Sequence, residues 1–384
     1  MLFKIIYHLL ILAISMGVAT YLVYVIRFYF GYKNLRPNLS YKKRRVSIVV
    51  AAHNEAANLP ALLTSLVNQT YPKELYEVII ADDCSTDDSE AIIRSYQNMG
   101  VELHYLRTTG RENAISPKKN AMNLAILKAK NEIILTTDAD CIVPLTWVES
   151  TVQHFTDDVS VVAGYSRTLL KDWSKASLVQ KYEHFDFAAT YLALAGGYTL
   201  GKSWACIGQN LAYLKSAWED VGGFEKIQHL ITGDDVMLMH LMRRAGHKVI
   251  FNFDPNSFVY TQPMPSWKEL TSQRTRWASD MKHQLKFHTE FFFILLSLAF
   301  LYWGTFFMLF FNWKLALCFF AFRVTIELIF FNYAKSYLGL DGKRLRFYPI
   351  WVAIQNFFLV FTMVLGQFNL FVWHGKKPPK GVKK

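Results

Sequence analysis

Residues 46–55 read VSIVVAAHNE, and the fold of the chain turns on them. A short uncharged run of valine, isoleucine and alanine reads as a strand, and the polar triplet His53-Asn54-Glu55 closes it. An amphipathic stretch, NLPALLTSLVNQ (58–69), comes next. The pattern returns as YEVIIAD (76–82) then DDSEAIIRSYQN, VELHYLR (101–107) then KKNAMNLAILKAK, EIILTTD (132–138) then the segment around Trp147, and finally VSVVAGY (159–165). This alternation predicts an α/β domain with a doubly wound, mainly parallel sheet. Ligands of such sheets sit beyond the strand C-termini. The polar clusters His53-Asn54-Glu55, Asp82-Asp83 and Asp138-Ala139-Asp140 fall there.

Outside this domain the chain is apolar. Of 384 residues 52% are hydrophobic and 16% aromatic, too apolar for an ordinary soluble domain, so a membrane protein with a water-facing domain is expected. Ile5 to Ile26 is uncharged over 22 residues, about 33 Å of helix against roughly 30 Å of hydrocarbon. No small-x-small cleavage site follows, so the run reads as a retained anchor and not as a signal peptide. Lys33, Arg36, Lys42, Lys43, Arg44 and Arg45 follow it, against Lys4 alone before it, which places residue 31 onward in the cytoplasm. The net charge of +12 points to a membrane surface and phosphate-rich donors before nucleic acid. Cys84, Cys141, Cys206 and Cys318 form no CxxC pair, which suits a reducing compartment and argues against a zinc ribbon.

From Ser266 to Glu290 the spacing of Trp267, Leu270, Trp277, Met281 and Leu285 among basic residues predicts an amphipathic helix in the membrane interface. Phe291 to Phe311, Leu315 to Phe331 and Pro349 to Trp373 read as three spans. The expected organisation is an anchor over 1–30, a basic linker over 31–45, a cytoplasmic domain over 46–265, an interface helix over 266–290, about three spans over 291–373 and a basic tail over 374–384. Three spans put the tail outside, whereas its lysines favour the inside. Either the last segment is re-entrant or the tail departs from the rule.

Asp138 and Asp140, two apart at a strand end, would share one side of the pleat. Their mutual repulsion, a few kcal/mol at short range and an effective dielectric near 20, would be relieved by Mg²⁺ or Mn²⁺ bridging to a diphosphate. An isolated Asp-x-Asp also occurs as a solvated turn, so its neighbours decide. Asp82-Asp83-Cys84-Ser85-Thr86-Asp87 ends the second strand, where short polar side chains can hold a base or ribose and Asp87 can cap the next helix. Lys118 and Lys119 open a helix, where the dipole disfavours cations unless an anion binds; a solvated end is the plainer alternative. Thr232-Gly233-Asp234-Asp235 precedes an apolar run, so one aspartate stands at a helix start, as a site residue or a simple cap. Gln273, Arg276 and Trp277 share a helix face that can offer an amide, a guanidinium and an indole, or merely anchor the helix. GGYTLGKS (196–203) fits the phosphate-loop pattern, but Trp204 to Gly208 make a poor helix start, so an ATPase coupled to transport is only a remote alternative. A dinucleotide fold is disfavoured because Ala-Ala-His-Asn-Glu, not glycines, follows the first strand.

Together, HNE (53–55), DDCSTD (82–87), DAD (138–140), GDD (233–235) and QRTRW (273–277), in that order, resemble the membrane-embedded family 2 glycosyltransferases, the branch with cellulose, hyaluronan and poly-N-acetylglucosamine synthases. The resemblance covers residue 46 to about 290 and the flanking spans. It implies a GT-A fold, an inverting transfer from a UDP-sugar to a growing glycan or membrane lipid, Mg²⁺ or Mn²⁺ as cofactor, and no nucleic-acid partner. The location implied is the cell's inner (plasma) membrane, multi-pass, with the catalytic domain cytoplasmic; an accessory secretion partner would be of unknown identity. By position, Glu55 and Asp83 match nucleoside-binding residues, Asp138 and Asp140 the diphosphate and metal pair, and Lys118 a basic residue near the donor. Asp235 matches the catalytic base, Asp234 its neighbour, and Gln273, Arg276 and Trp277 the signature face beside donor and acceptor. Gly208-Gln209-Asn210 falls where the family lines the acceptor path. Gly233-Asp234-Asp235 replaces the usual Thr-Glu-Asp, the proline before Asn-Glu is absent, and no regulatory domain is appended. The product alternatives are a polysaccharide and a glycolipid made by one transfer.

Overall fold

The computed structural model describes residues 1–35, 37–109, 116–230, 232–279, 284, 286–287, 289–338, 340–368 and 370–372. They form two compact units: a sheet unit of Arg36–Lys171 and Ala205–Met264, and a helical unit of Met1–Leu35, Asp172–Trp204 and Pro265–Lys377.

In the sheet unit the strands are β1 (Val46–Ala52), β2 (Tyr76–Asp82), β3 (Glu102–Arg107), β4 (Ile133–Thr136), β5 (Cys141–Ile142), β6 (Val159–Ala163), β7 (Ser166–Thr168), β8 (Leu211–Leu214), β9 (Lys248–Phe251) and β10 (Val259–Thr261). Seven of them pair in the order β3-β2-β1-β4-β8-β6-β9, and β5-β10-β7 form a second, small sheet. β3, β2, β1 and β4 are parallel, as are β6 and β9, while β8 runs antiparallel to both its neighbours. Each predicted strand is therefore present, in a mixed, mainly parallel sheet. The reversal of β8 matters for the site: Leu211, its first residue, pairs with Thr136, the last of β4. The residues leading into β8 thus reach the same edge as the loops leaving β1, β2 and β4.

β1, an inner strand, is apolar except for Ser47 and is buried throughout its first five residues; Val46, Ile48, Val49 and Val50 have no exposed surface. Truncating Ile48 to alanine would cost about 2–5 kcal/mol.

In the helical unit, Leu2–Lys33, Trp313–Lys335 and Tyr348–Gln367 are long and apolar enough to cross a membrane. The segment expected as a further span is shorter, Phe292–Met308, and a π-helical turn at Phe300–Gly304 interrupts it. It packs tightly on the first helix: a Cβ on Gly17 would lie 2.8 Å from the Ser297 carbonyl. The amphipathic segment forms a helix over Trp267–Ser279. Met281, Lys282, Leu285 and the basic tail lie outside the described residues.

Candidate active site

The loops after β1 and β2 are laced together. Asp83 N–H donates to the Ala52 carbonyl at 2.7 Å, and the His53 ring Nδ1 lies 2.8 Å from the Asp83 carbonyl. Asn54 and Cys84 both adopt left-handed backbone, φ 57° and 55°. Side chains repay that strain: Asn54 Oδ1 accepts from Thr86 N–H at 2.8 Å, and Asn54 N–H donates to Ser85 Oγ at 2.9 Å. Asp87 stands one residue before the helix cap, Asp88, and accepts from Ser89 N–H and from Ala56 N–H across the gap. Asp83 is buried, and its Oδ1 accepts from Thr108. Burial pushes the Glu55 carboxyl above its ordinary range, with Asp138 and Asp87 adding repulsion against a hydrogen bond from Asn58.

Asp138 and Asp140 lie beyond β4, in the turn that leads to Cys141, and Cys141 N–H donates to the Asp138 carbonyl at 3.2 Å. A turn, and not a strand pleat, therefore sets their spacing. Asp138 accepts from Lys118 Nζ at 2.8 Å, and the same ammonium lies 2.9 Å from Asp234. Lys118 is the second residue of the Pro117–Lys128 helix, so the predicted cationic helix start does face carboxylates. Among the described residues no ammonium or guanidinium pairs with Asp140, whose Oδ1 accepts from the Cys141 thiol at 3.6 Å. Burial, then the charges of Asp138 and Glu55, push Asp140 up to about 7.

Asp234 and Asp235 are adjacent but differ. Lys118, and after it Lys119, outweigh burial at Asp234 and hold it down at about 2. Asp235 caps the Val236–Arg244 helix, its Oδ1 accepting from Val236 N–H at 2.6 Å, and its Oδ2 accepts from Gly208 N–H at 2.8 Å. Burial and the Asp234 charge push it up to about 6, against Lys118 and those two N–H groups. It is thus a cap and a perturbed carboxylate together. The Gly208-Gln209-Asn210 turn is fixed by Thr136 Oγ1, which donates to the Gly208 carbonyl, and by Asn210 Nδ2, which donates to the Tyr165 and Ser257 carbonyls. Lys118, Thr137, Asp138, Gly208 and Asp234 line one small cleft.

Gln273, Arg276 and Trp277 belong to the helical unit. There Arg274, a residue the sequence reading passed over, donates to Gln273 Oε1, pairs with Asp186 at 2.9 Å and lies 4.3 Å from the Trp277 ring centroid. The remote phosphate-loop alternative fails in the same unit. Gly196 and Gly197 lie inside the Leu178–Thr199 helix, no helix follows, and Lys202 pairs with Glu290 at 2.9 Å. Gly196 is there for packing, since a Cβ would come within 2.5 Å of Phe28.

Among the described residues, one group could hold a metal with three ligand atoms: Glu77, Glu102 and His104. Glu77 and Glu102 pair in register at the N-terminal ends of β2 and β3, the opposite end from Asp82. Glu77 Oε1 already accepts from Ser47, Lys130 N–H and Asn131, which marks the group as a brace.

Residues 47–222 match the family described as Glycosyl transferase family 2. The chain is 24% identical over 337 residues to a probable glycosyltransferase, YdaM, of Bacillus subtilis, covering 83% of this chain and 78% of that one. It is 33% identical over 133 residues to the hyaluronan synthase of Pasteurella multocida, 33% of this chain but 13% of that one. The fold is similar to that of the mannosyltransferase PcManGT from Pyrobaculum calidifontis, solved with GDP-Man and Mn²⁺, with a TM-score of 0.59 at 18% identity over 91% of this chain and 98% of that one. The sheet unit has the GT-A fold.

Proposed function

We propose, of a chain that carries a family 2 glycosyltransferase domain and is a glycosyltransferase, that it moves a sugar from a UDP-sugar, with inversion, to an acceptor held at the membrane and builds or extends a β-linked glycan. The observation that carries this reading is the pair of unlike carboxylates at one sheet edge, Asp234 held ionised by Lys118 and Asp235 pushed up to about 6. Such a split separates roles. Asp235 is the base: each of its oxygens accepts one backbone N–H and keeps a lone pair for the acceptor hydroxyl. Asp234 holds Lys118 in place between itself and Asp138. Glu55 and Asp83 hold the nucleoside.

Asp138 and Asp140 fit a divalent cation: both offer hard oxygen donors, and burial with the charges of Asp138 and Glu55 outweighs the relief that the Cys141 thiol and Lys118 give Asp140. They would hold Mg²⁺ or Mn²⁺, whose chemistry there is to neutralise the departing diphosphate. Gln273, Arg276 and Trp277 serve the acceptor side. The sheet unit faces the cytoplasm, where nucleotide-sugars are made, and the membrane is the cell's inner membrane.

A second reading, one transfer to a lipid, is favoured by one feature of the helical unit. Trp267, Trp303, Ile354, Phe357, Phe358 and Phe361 line an apolar cavity of about 640 Å³, within the size range of ligand sites. Membranes containing the protein, given a panel of radiolabelled nucleotide-sugars, decide both points. UDP release with a ladder of products supports glycan synthesis, and UDP release with a single extractable lipid supports the second reading. Release of no nucleoside diphosphate from any donor overturns both.

A further inference from the structure

We propose that Lys119 is a positioning residue for the reaction, its buried ammonium fixing the loop on which Asp234 and Asp235 stand. This rests on the reading of Asp235 as the base.

Lys119 is the third residue of the Pro117–Lys128 helix and is 2% exposed. Two forces oppose a charge there. The helix dipole disfavours a cation in the first turn, and taking an ammonium out of water costs several kcal/mol. Lys118 is answered by carboxylates. Lys119, about 100° further round the helix, reaches instead for backbone: its Nζ donates to the Leu230 carbonyl and to the Thr232 carbonyl, each at 2.6 Å. Thr232 immediately precedes Gly233, whose φ of 82° turns the chain into Asp234 and Asp235. At the other end of the loop, Gly208 N–H and Val236 N–H grip the Asp235 carboxylate. The loop is thus held at both ends, by Lys119 before Gly233 and through the Asp235 carboxylate after it, with Asp234 between. Lys118 meets the carboxylates directly, and Lys119, whose charge also favours ionised Asp234, bonds the backbone on which they stand. A misplacement of about 1 Å at a reacting group can cost on the order of a hundredfold in rate, which gives a buried cation of this kind a reason to exist.

The test uses the full chain in membranes with the UDP-sugar that the donor panel identifies. For Lys119→Met, which keeps the length and removes the donor, kcat should fall about tenfold or more. The KM for the UDP-sugar and the affinity for UDP should stay within about twofold, since nucleoside and diphosphate contacts are untouched. Lys119→Arg restores N–H donors and should recover most of the lost kcat. The proposal is overturned if Lys119→Met turns over normally, if kcat and UDP affinity fall together, or if Lys119→Arg is no better than Lys119→Met. Should Lys119→Met fail to accumulate in membranes, Lys119→Gln, which keeps an N–H donor, is read by the same criteria. Asp235→Asn tells the two claims apart: full activity in that variant removes the base assignment, whatever the Lys119 variants do.

Discussion

Each unit of this protein holds a cluster in which a cation meets carboxylates in a partly or fully buried place, and two of these clusters are built to opposite ends. In the sheet unit one ammonium, Lys118, serves Asp138 and Asp234 at once, while Asp140 and Asp235 carry negative charge that lacks a cation of its own. The Lys118, Asp138 and Asp234 side chains keep 28%, 29% and 17% of their surface open. In the helical unit one guanidinium meets one carboxylate: Arg323 pairs with Glu327 at 2.7 Å, and the two side chains are 3% and 5% exposed. Tyr21 and Tyr348 donate to Glu327, Asn356 accepts from Arg323, and the guanidinium lies 3.6 Å from the Tyr302 ring centroid. A cluster with surplus charge and open surface is arranged for something that arrives. A one-to-one buried pair bonded by two tyrosine hydroxyls and an asparagine from other helices is arranged to hold helices together.

If the first cluster is the working one, chemistry should fail there before folding does. Asparagine at Asp235 keeps the shape but takes no proton, so Asp235→Asn should lower turnover by a factor on the order of a hundred or more with UDP binding intact. Should Asp234→Asn be the dead enzyme and Asp235→Asn the active one, the roles are reversed. The surplus charge makes a second claim of similar size. EDTA should abolish transfer and Mg²⁺ or Mn²⁺ should restore it, because the Cys141 thiol and Lys118 leave most of the strain on Asp140 unanswered; full turnover in chelator would break the comparison at its root.

The second cluster should respond in stability and not in chemistry. Glu327→Gln leaves Arg323 buried without a counter-charge, a change worth about 3–5 kcal/mol when such a pair is broken from one side. The expected result is a lower thermal midpoint and less protein in the membrane, with unchanged turnover per folded molecule. Replacing both partners by leucine should be milder than Glu327→Gln, since no lone charge is left behind. If the double variant is instead the worse of the two, the pair does more than hold helices.

The sequence reading found the first cluster and not the second, for a physical reason. The strands β1, β2 and β4 announce themselves by apolar runs of the right length, and acidic residues stand at or just after each end. Local pattern therefore points to Asp83, Asp138 and Asp140 as candidates, and the apolar run after Gly233 points to Asp235. It does not show that Lys118 bridges Asp138 and Asp234, residues 20 and 116 positions away, or that Asp138 and Asp140 are spaced by a turn. Arg323 and Glu327 are four apart in an apolar helix, a signal open to reading, but their value lies in Tyr21, Tyr348 and Asn356 from other helices. Arg274 was hidden between Gln273 and Arg276 for the same reason, since its partner Asp186 lies in a distant helix. Glu77, Glu102 and His104 meet through strand register, which no motif records. The π-helical turn at Phe300–Gly304 lies within a segment whose composition alone reads as a span, and composition does not record it.

The smallest expected effect is also the sharpest test of how the surplus charge works. Asp235 is pushed up to about 6, by burial first and by Asp234 next. A base acts in its deprotonated form, so turnover should be low below about pH 6 and rise through that value to a plateau. Asp140 titrates near this range too, but a bound cation favours its carboxylate and moves it down. Turnover at saturating Mn²⁺ and donor therefore reports Asp235. Asp234 is held at about 2, so it is charged across the whole range and repels the charge on Asp235 throughout. Asp234→Asn removes that repulsion and favours the ionised base, so the acid limb should move to lower pH, by about one unit. Lys118→Met removes an attraction and should move the limb the other way. A limb that stays put in both variants would mean that these charges do not tune Asp235, and that burial and its two backbone hydrogen bonds set its proton affinity on their own.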